Sequence, residues 1–299
     1  MGNLDVVCFG EVLWDQIGEE RRLGGAPLNV CYHLSKLGIP TRMVSQIGAD
    51  DDGNRMLEEL GRLGIDVGSC NISKTWPTSV VKVGLEGTDK IVYEIGGDVA
   101  WDHIECTPEL QSLVQESKIL IYGSLAARSR TTQATLFELL ALGTFNVFDV
   151  NLRSPFYAEE TVLSLLGHAD VLKLNEEELR QIAIWLMGEY PEMGAAIECL
   201  QETFPRIKEI VLTCGGDGAY YISGNSWQRI LPYRVVVTDT IGSGDAFLAA
   251  FIGSKIKGEN LSNALQRASM LSAFVATCKG ACPDYSWEEL EGRQWLVQE

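Results

Sequence analysis

Apolar positions along the chain follow two rhythms that alternate for most of its length. Short, nearly unbroken apolar runs at residues 5–12, 42–48, 118–122, 146–150, 170–174 and 209–213 read as buried strands. Between them, apolar residues three and four apart predict amphipathic helices over 27–37, 54–63, 131–142, 159–166 and 176–186. Gly38 and Pro40 stop the first of these, and a glycine closes the second. Two further helices fill much of 245–257 and 262–279. Repeated strand–helix units predict an α/β fold with a mostly parallel sheet covered by helices on both faces.

Two places break this rhythm. Residues 79–86 and 90–95 alternate around a turn at Gly87 and predict a β-hairpin with little helix near it. Such a hairpin either stands apart as a lid or extends an edge of the main sheet, and its place after the second strand–helix unit favours the lid. Residues 215–234 hold a second hairpin, 219–222 with 228–231, joined through Gly224 and Asn225. No repeat of 20–50 residues and no low-complexity linker interrupts the sequence. The expectation is one domain over residues 1–299, with a β-lid contributed mainly by about residues 72–100.

Composition narrows the class. The 299 residues are 46% hydrophobic and 22% charged, which excludes a disordered, collagen-like or coiled-coil chain. Lys and Arg number 24 against 41 Asp and Glu, a net charge of −17 that argues against nucleic acid or an anionic membrane as partner. The apolar runs are too short to span a bilayer, and residues 1–13 lack the basic start and apolar core of a signal peptide, so a soluble, cytoplasmic protein is expected. The eight cysteines are scattered with no C-x-x-C, which reads as reduced thiols. Cys278 and Cys282, four apart, fit one face of a helix in a structural role. Three histidines without H-x-x-x-H give no zinc site.

The chemistry concentrates in VVVTDTIGSGDAFLAAF, residues 235–251. A β-branched run read as a strand ends at Asp239, a turn through Gly242, Ser243 and Gly244 follows, and a helix begins near Asp245. Glycines let the backbone approach a ligand, and the free N–H groups of a helix start form an anion site. No Walker-type phosphate loop exists in the chain. Asp245 can simply cap that helix, or it can take a proton from a hydroxyl attacking a phosphoryl group; this segment alone supports both readings.

The segment Asp239 to Asp245, DTIGSGD, resembles the second signature of the ribokinase-like (PfkB) sugar kinases, D-T-x-[G/A]-[G/A/S]-G-D. GGAPLN, residues 24–29, resembles that family's first signature, and GEVLWD, residues 10–15, its sugar-contacting strand end. Asn175 to Glu178 resembles its N-x-x-E motif, and TCGGDG, residues 213–218, its nucleotide-binding T-x-G-x-x-G. These motifs stand in family order and cover essentially the whole chain.

The resemblance implies a three-layer α/β/α fold and transfer of the γ-phosphate of ATP to a sugar. By it, Asp245 is the general base, and Gly242, Ser243 and Gly244 supply backbone N–H groups to the transferring phosphoryl, with Arg153 reaching phosphates or substrate. Asp15, Gly24, Gly25 and Asn29 are implied as sugar-binding, a donor and acceptor set suited to a polyol. Asn175 and Glu178 are implied to act on Mg²⁺ through water, Thr213, Gly215 and Gly218 to face the nucleotide, and the helix around Ala268 to wall the adenine. An acidic first turn also accounts for Glu178. A monovalent cation, K⁺, is implied beside the anion hole at Asp239, Ile241, Val275, Cys278, Gly280 and Asp284, although Asp284 departs from the small hydroxyl residue common there.

RLGGAPLN, VAWD, DVNLRSPFY and KLNEEEL are similar to the fructokinase branch, while the acidic residue that ribokinases use after the fifth strand is replaced by Gly123, Ser124, Leu125 and Ala126. Fructose is therefore the expected substrate; another sugar, a sugar acid such as ketodeoxygluconate or a nucleoside is the alternative, and a non-catalytic sugar or nucleotide sensor the alternative of another class. Trp14 and Trp101 read equally as pocket walls or core. Cys70, Val80, Val83, Val92 and Ile95 would form an apolar lid face through which two copies pair as a homodimer.

Overall fold

The computed structural model describes residues 4–86 and 90–298. The chain opens with β1 (Val6–Phe9), leaves the main sheet for β2 (Leu13–Ile17) and β3 (Glu20–Gly24), and returns through α1 (Ala26–Lys36) to β4 (Thr41–Gly48), α2 (Asp51–Arg62) and β5 (Ser69–Ser73). A second excursion forms β6 (Val80–Glu86) and β7 (Lys90–Ile95). Then come α3 (Pro108–Glu116), β8 (Ile119–Gly123), α4 (Arg130–Leu140), β9 (Phe145–Asp149), α5 (Glu159–Leu166), β10 (Val171–Asn175), α6 (Glu176–Met187), α7 (Met193–Thr203) and β11 (Glu209–Thr213). β12 (Ala219–Ser223), β13 (Ser226–Ile230), α8 (Ser243–Ile256), α9 (Leu261–Ala276) and α10 (Trp287–Glu291) complete it.

Nine strands form the main sheet in the order β13-β12-β11-β10-β9-β8-β1-β4-β5 among the described residues. It is parallel from β11 to β5, and β12 and β13 add an antiparallel edge. Its inner strands are mostly apolar because both faces are covered, with Asn146 and Asp149 of β9 and Lys173 of β10 as buried exceptions. Val6 and Cys8 pack with α1, α8 and α9, while Val7 and Phe9, their neighbours in β1, pack with α4 to α7 on the opposite face. Helix starts are fixed locally: Asp50 accepts the Gly53 N–H at 2.7 Å, and Asn175 and Glu178 form a reciprocal capping box at α6.

The lid is a separate four-stranded sheet, β3-β2-β6-β7. Alternation in the sequence predicts only β6 and β7. Residues 13–24 supply the other half, with β2 pairing parallel to β6. Alternation in β2 and β3 is weak because one face meets the ligand cleft rather than an apolar core. The turn at Gly87 and the side chains of Val83 and Val92 lie outside the described residues.

Other expectations need correction. Residues 235–239 form no strand: this segment runs past the sheet edge after Pro232, leaving Val236 86% exposed, and is held instead by the C-terminal residues through Arg234 N–H donating to Leu296 O at 2.7 Å. Helix α9 ends at Ala276, so neither Cys278 nor Cys282 is helical. Ile95 turns inward to the cleft and Cys70 belongs to β5 of the main sheet, which removes both from an outward lid face. No helix among the described residues is long and apolar enough to cross a membrane.

Candidate active site

The chain runs from β1 outward to β4 on one side and, later, to β8 on the other, so β1 marks a topological switch point where α/β sheets bind ligands. The carboxyl ends of the neighbouring strands open there into a cleft of about 570 Å³. The lid covers one end through Leu13, Asp15, Val81 and Ile95. The other end is lined by Thr213, Gly215, Gly218, Tyr233 and Phe247.

The start of α8 forms the waist of this cleft. Gly242 caps it with φ 78°, and a Cβ there would lie 2.3 Å from the Ala281 Cβ, so both the turn and the packing demand glycine. No side chain caps this helix; the Ser243 N–H makes a long bond to Thr240 O at 3.3 Å, and the start of the helix otherwise faces the cleft as an anion site. Asp245 is the third helical residue and is not the cap: its Oδ2 accepts a hydrogen bond from Asn29 Nδ2 at 2.8 Å. Burial, with Asp149 adding to it, holds the Asp245 carboxyl above its ordinary pKa, and Lys173, Asn29 and Arg153 oppose the rise. A carboxylate of raised basicity beside a bare helix N-terminus can accept a proton from an alcohol as negative charge builds on a neighbouring phosphoryl group.

At the lid end, burial pushes Asp15 up to about 6, with Asp239 and Asp245 adding to it against Arg153 and Arg22. Gly24 stands beneath this carboxylate instead of in the cleft wall, and a Cβ there would come within 2.2 Å of Asp15 Oδ2. Gly25, with φ 114°, lies against the Glu11 carbonyl and does line the cleft, beside Asn29. Arg153 lines the opposite wall. At the other end, Asn175, Thr213, Gly215 and Gly218 line the cleft.

The pfkB family carbohydrate kinase model matches residues 3–288. The chain belongs to this family. It is 29% identical over 309 residues to the Arabidopsis thaliana protein described as "Probable fructokinase-7", covering 93% of this chain and 88% of that one. Among solved structures, Xylella fastidiosa fructokinase with bound ATP superposes with a TM-score of 0.82 at 21% identity, covering 93% and 94% of the two chains. Vibrio cholerae O395 fructokinase in its fructose, ADP and calcium ion bound form gives 0.83 at 22% identity, covering 97% and 98%. A double-mutant form of the latter is described as bound to fructose, ADP and potassium ion.

In this pfkB-family carbohydrate kinase, several residues implied at the site stand one layer back. Glu178 is buried behind the wall, where its Oε1 accepts the Leu152 N–H at 3.0 Å and its Oε2 the Asn175 N–H at 2.8 Å. It thereby ties α6 to the loop that presents Asn151 and Arg153. Ala268 is fully buried in the core, and Ser269, Ser272 and Ala273 of the same helix line the cleft. Trp14 faces away from the cleft and donates to Asp52 O at 3.0 Å, and Trp101 is fully buried beneath Arg128.

Metal-binding capacity divides in two. No trio of His, Cys, Asp or Glu among the described residues is gathered to hold a metal ion. Asn175 Oδ1 accepts the Glu178 N–H at 2.9 Å and both Glu178 oxygens accept backbone N–H groups, so a Mg²⁺ ion riding on nucleotide phosphates would meet this pair only through its own waters. The monovalent-cation positions fit poorly as a set. Asp284 is turned outward to Lys36 at 2.8 Å, its side chain 94% exposed. Asp239 Oδ1 accepts the Ile241 N–H at 3.0 Å and its Oδ2 the Gly280 N–H at 3.2 Å, while the Val275 carbonyl accepts the Cys278 N–H at 2.9 Å.

Two features of this family member went unnoticed in the sequence. Glu11, 2% exposed, lines the cleft, accepts the Ala26 N–H through Oε1 at 3.1 Å, and leaves Oε2 without a partner. Burial pushes its carboxyl up to about 7. Lys173 and Asp149, on adjacent strands, form a buried pair at 2.9 Å directly behind Gly244. An acid within an apolar opening strand and a lysine within VLKLN were the available signals.

Proposed function

We propose that this kinase is an ATP-dependent fructokinase. Asp245 takes the proton of a fructose hydroxyl whose oxygen attacks the γ-phosphorus; the bond from that phosphorus to the β–γ bridging oxygen breaks, and ADP leaves. The N–H groups of Gly242, Ser243 and Gly244 receive the charge on the transferring phosphoryl, preorganised and shielded from water. Asp15, Gly25 and Asn29 seat the sugar, and Arg153 meets substrate or phosphate from the facing wall. Thr213, Gly215 and Gly218 carry the nucleotide. Mg²⁺ neutralises phosphate charge when bound, held from the protein side by Asn175 with Glu178 behind it, through water.

One observation carries the reading: the Asp245 carboxylate, held by Asn29, stands at the waist between the lid end and the glycine-rich end, beside a helix start that no side chain caps. Fructose over other sugars is supported by the fructokinases among the relatives. ATP consumption over a panel of ketoses, aldoses, sugar acids and nucleosides tests it. Fructose as the best acceptor is the expected result. Turnover on another class alone would overturn fructose, and silence with every acceptor despite calorimetric sugar binding would leave the sensor reading.

A further inference from the structure

The turn that forms the anion hole carries an acidic residue at its root. Asp239 is 15% exposed, and its charge lies on the same short segment as the N–H groups of Gly242 to Gly244, where it opposes binding of a phosphoryl group. A cation beside it would offset that charge. The loop positions implied for a monovalent cation fit one poorly, because both Asp239 oxygens are already engaged by backbone N–H groups and Asp284 faces solvent.

A cation of a different kind is present. Arg22, on lid strand β3, reaches across so that its Nη1 lies 3.7 Å from Asp239 Oδ2, with its side chain 23% exposed. It stands directly opposite Asp15 in the β2–β3 ladder, and its guanidinium also pairs with Glu20. Its stem rests on Gly280, where a Cβ would fall 3.0 Å from Arg22 Cδ. Gly280 precedes Ala281, the residue against which Gly242 packs. The guanidinium thus pairs with Glu20 and lies near Asp239 at the root of the turn, while its stem packs on the loop that backs that turn. Arginine is charged at every working pH and needs no cation from solution.

We propose that Arg22 is a positioning residue that supplies at Asp239 the single positive charge a bound potassium ion would otherwise supply, bracing the anion-hole turn from the lid. The inference rests on the kinase reading above and goes beyond it: phosphoryl transfer by the native chain is independent of potassium.

The test compares wild type, Arg22→Ala and Arg22→Lys in potassium chloride and in tetramethylammonium chloride at equal ionic strength. Phosphoryl transfer is measured alongside calorimetric binding of ADP–fluoroaluminate, a mimic of the transferring group. Wild type and Arg22→Lys should behave alike in both salts. Arg22→Ala should lose about tenfold or more in kcat and in ADP–fluoroaluminate affinity in both tetramethylammonium and potassium, and recover most of both on addition of guanidinium chloride. Wild type that requires potassium, an Arg22→Ala variant unimpaired in tetramethylammonium, or a loss that guanidinium does not restore would each overturn the proposal. Should Arg22→Ala melt below the assay temperature, Arg22→Gln replaces it in the same comparison. If wild type phosphorylates no acceptor, the kinase reading falls by itself and the binding measurements alone decide the role of Arg22, equal affinities across salts and variants refuting it.

Discussion

Glu11 is a buried acid whose ionisation the fold opposes, and this has a measurable effect on stability. Its carboxyl rises from 4.5 to about 7 because burial strips it of water, while one oxygen has no partner. Between those values the folded chain holds the proton and the unfolded chain releases it, so stability falls as pH rises through that window. A shift from 4.5 to about 7 corresponds to about 3 kcal/mol, most of it lost between pH 5 and pH 8. Glu11→Gln keeps an acceptor for the Ala26 N–H and removes the ionisation. Urea unfolding of both proteins at pH 5 and pH 8 should show the wild type losing about 2–3 kcal/mol more than the variant over that interval. Equal losses in the two proteins would mean that Glu11 is solvated or charge-paired in solution, and would refute the reasoning.

Asp245→Asn should fold with an unchanged melting temperature and lose about 10²–10⁴-fold in turnover, whereas near wild-type turnover would remove it as the base. Because burial raises Asp15 to about 6, the KM for sugar should climb as pH falls through that value, and Asp15→Asn should have a higher KM with no such dependence. Lys173→Met leaves the Asp149 carboxylate buried without its partner and should cost about 3–5 kcal/mol in urea unfolding, with Lys173→Met combined with Asp149→Leu recovering most of it.

Much of the fold could be read from periodicity because the parallel strands are buried on both faces and leave unbroken apolar runs. The hairpin of β6 and β7 was visible for the same reason that β2 and β3 were not. Period-two alternation needs one apolar face, and Asp15, Gln16, Arg21 and Arg22 break it where the lid meets ligand and charge. Helices α3 and α7 went unread although α5, shorter than either, was found, so length is not the reason. The waist of the site was legible because glycines and an aspartate are packed into seven residues. Glu178 shows the limit of reading by motif, since it sits at its motif position yet braces a loop from behind, and Ala268 faces the core while its helix lines the cleft through other residues. Glu11, Lys173 and Arg22 escaped because their significance depends on neighbours distant in the chain, which no local spacing records.

The roof over the lid end of the cleft is stitched from two ribbons that belong to different stretches of the polypeptide, joined along a single parallel seam between β2 and β6. A two-stranded ribbon by itself has little independent stability. Excising residues 80–95 would therefore do more than unroof the pocket: it would strand Asp15 and Arg22 on a remnant too frail to hold its shape. Recognition and enclosure are parts of one object, so a change in which sugar is accepted cannot be grafted in as a cassette. It has to arise by compatible edits on both sides of the seam.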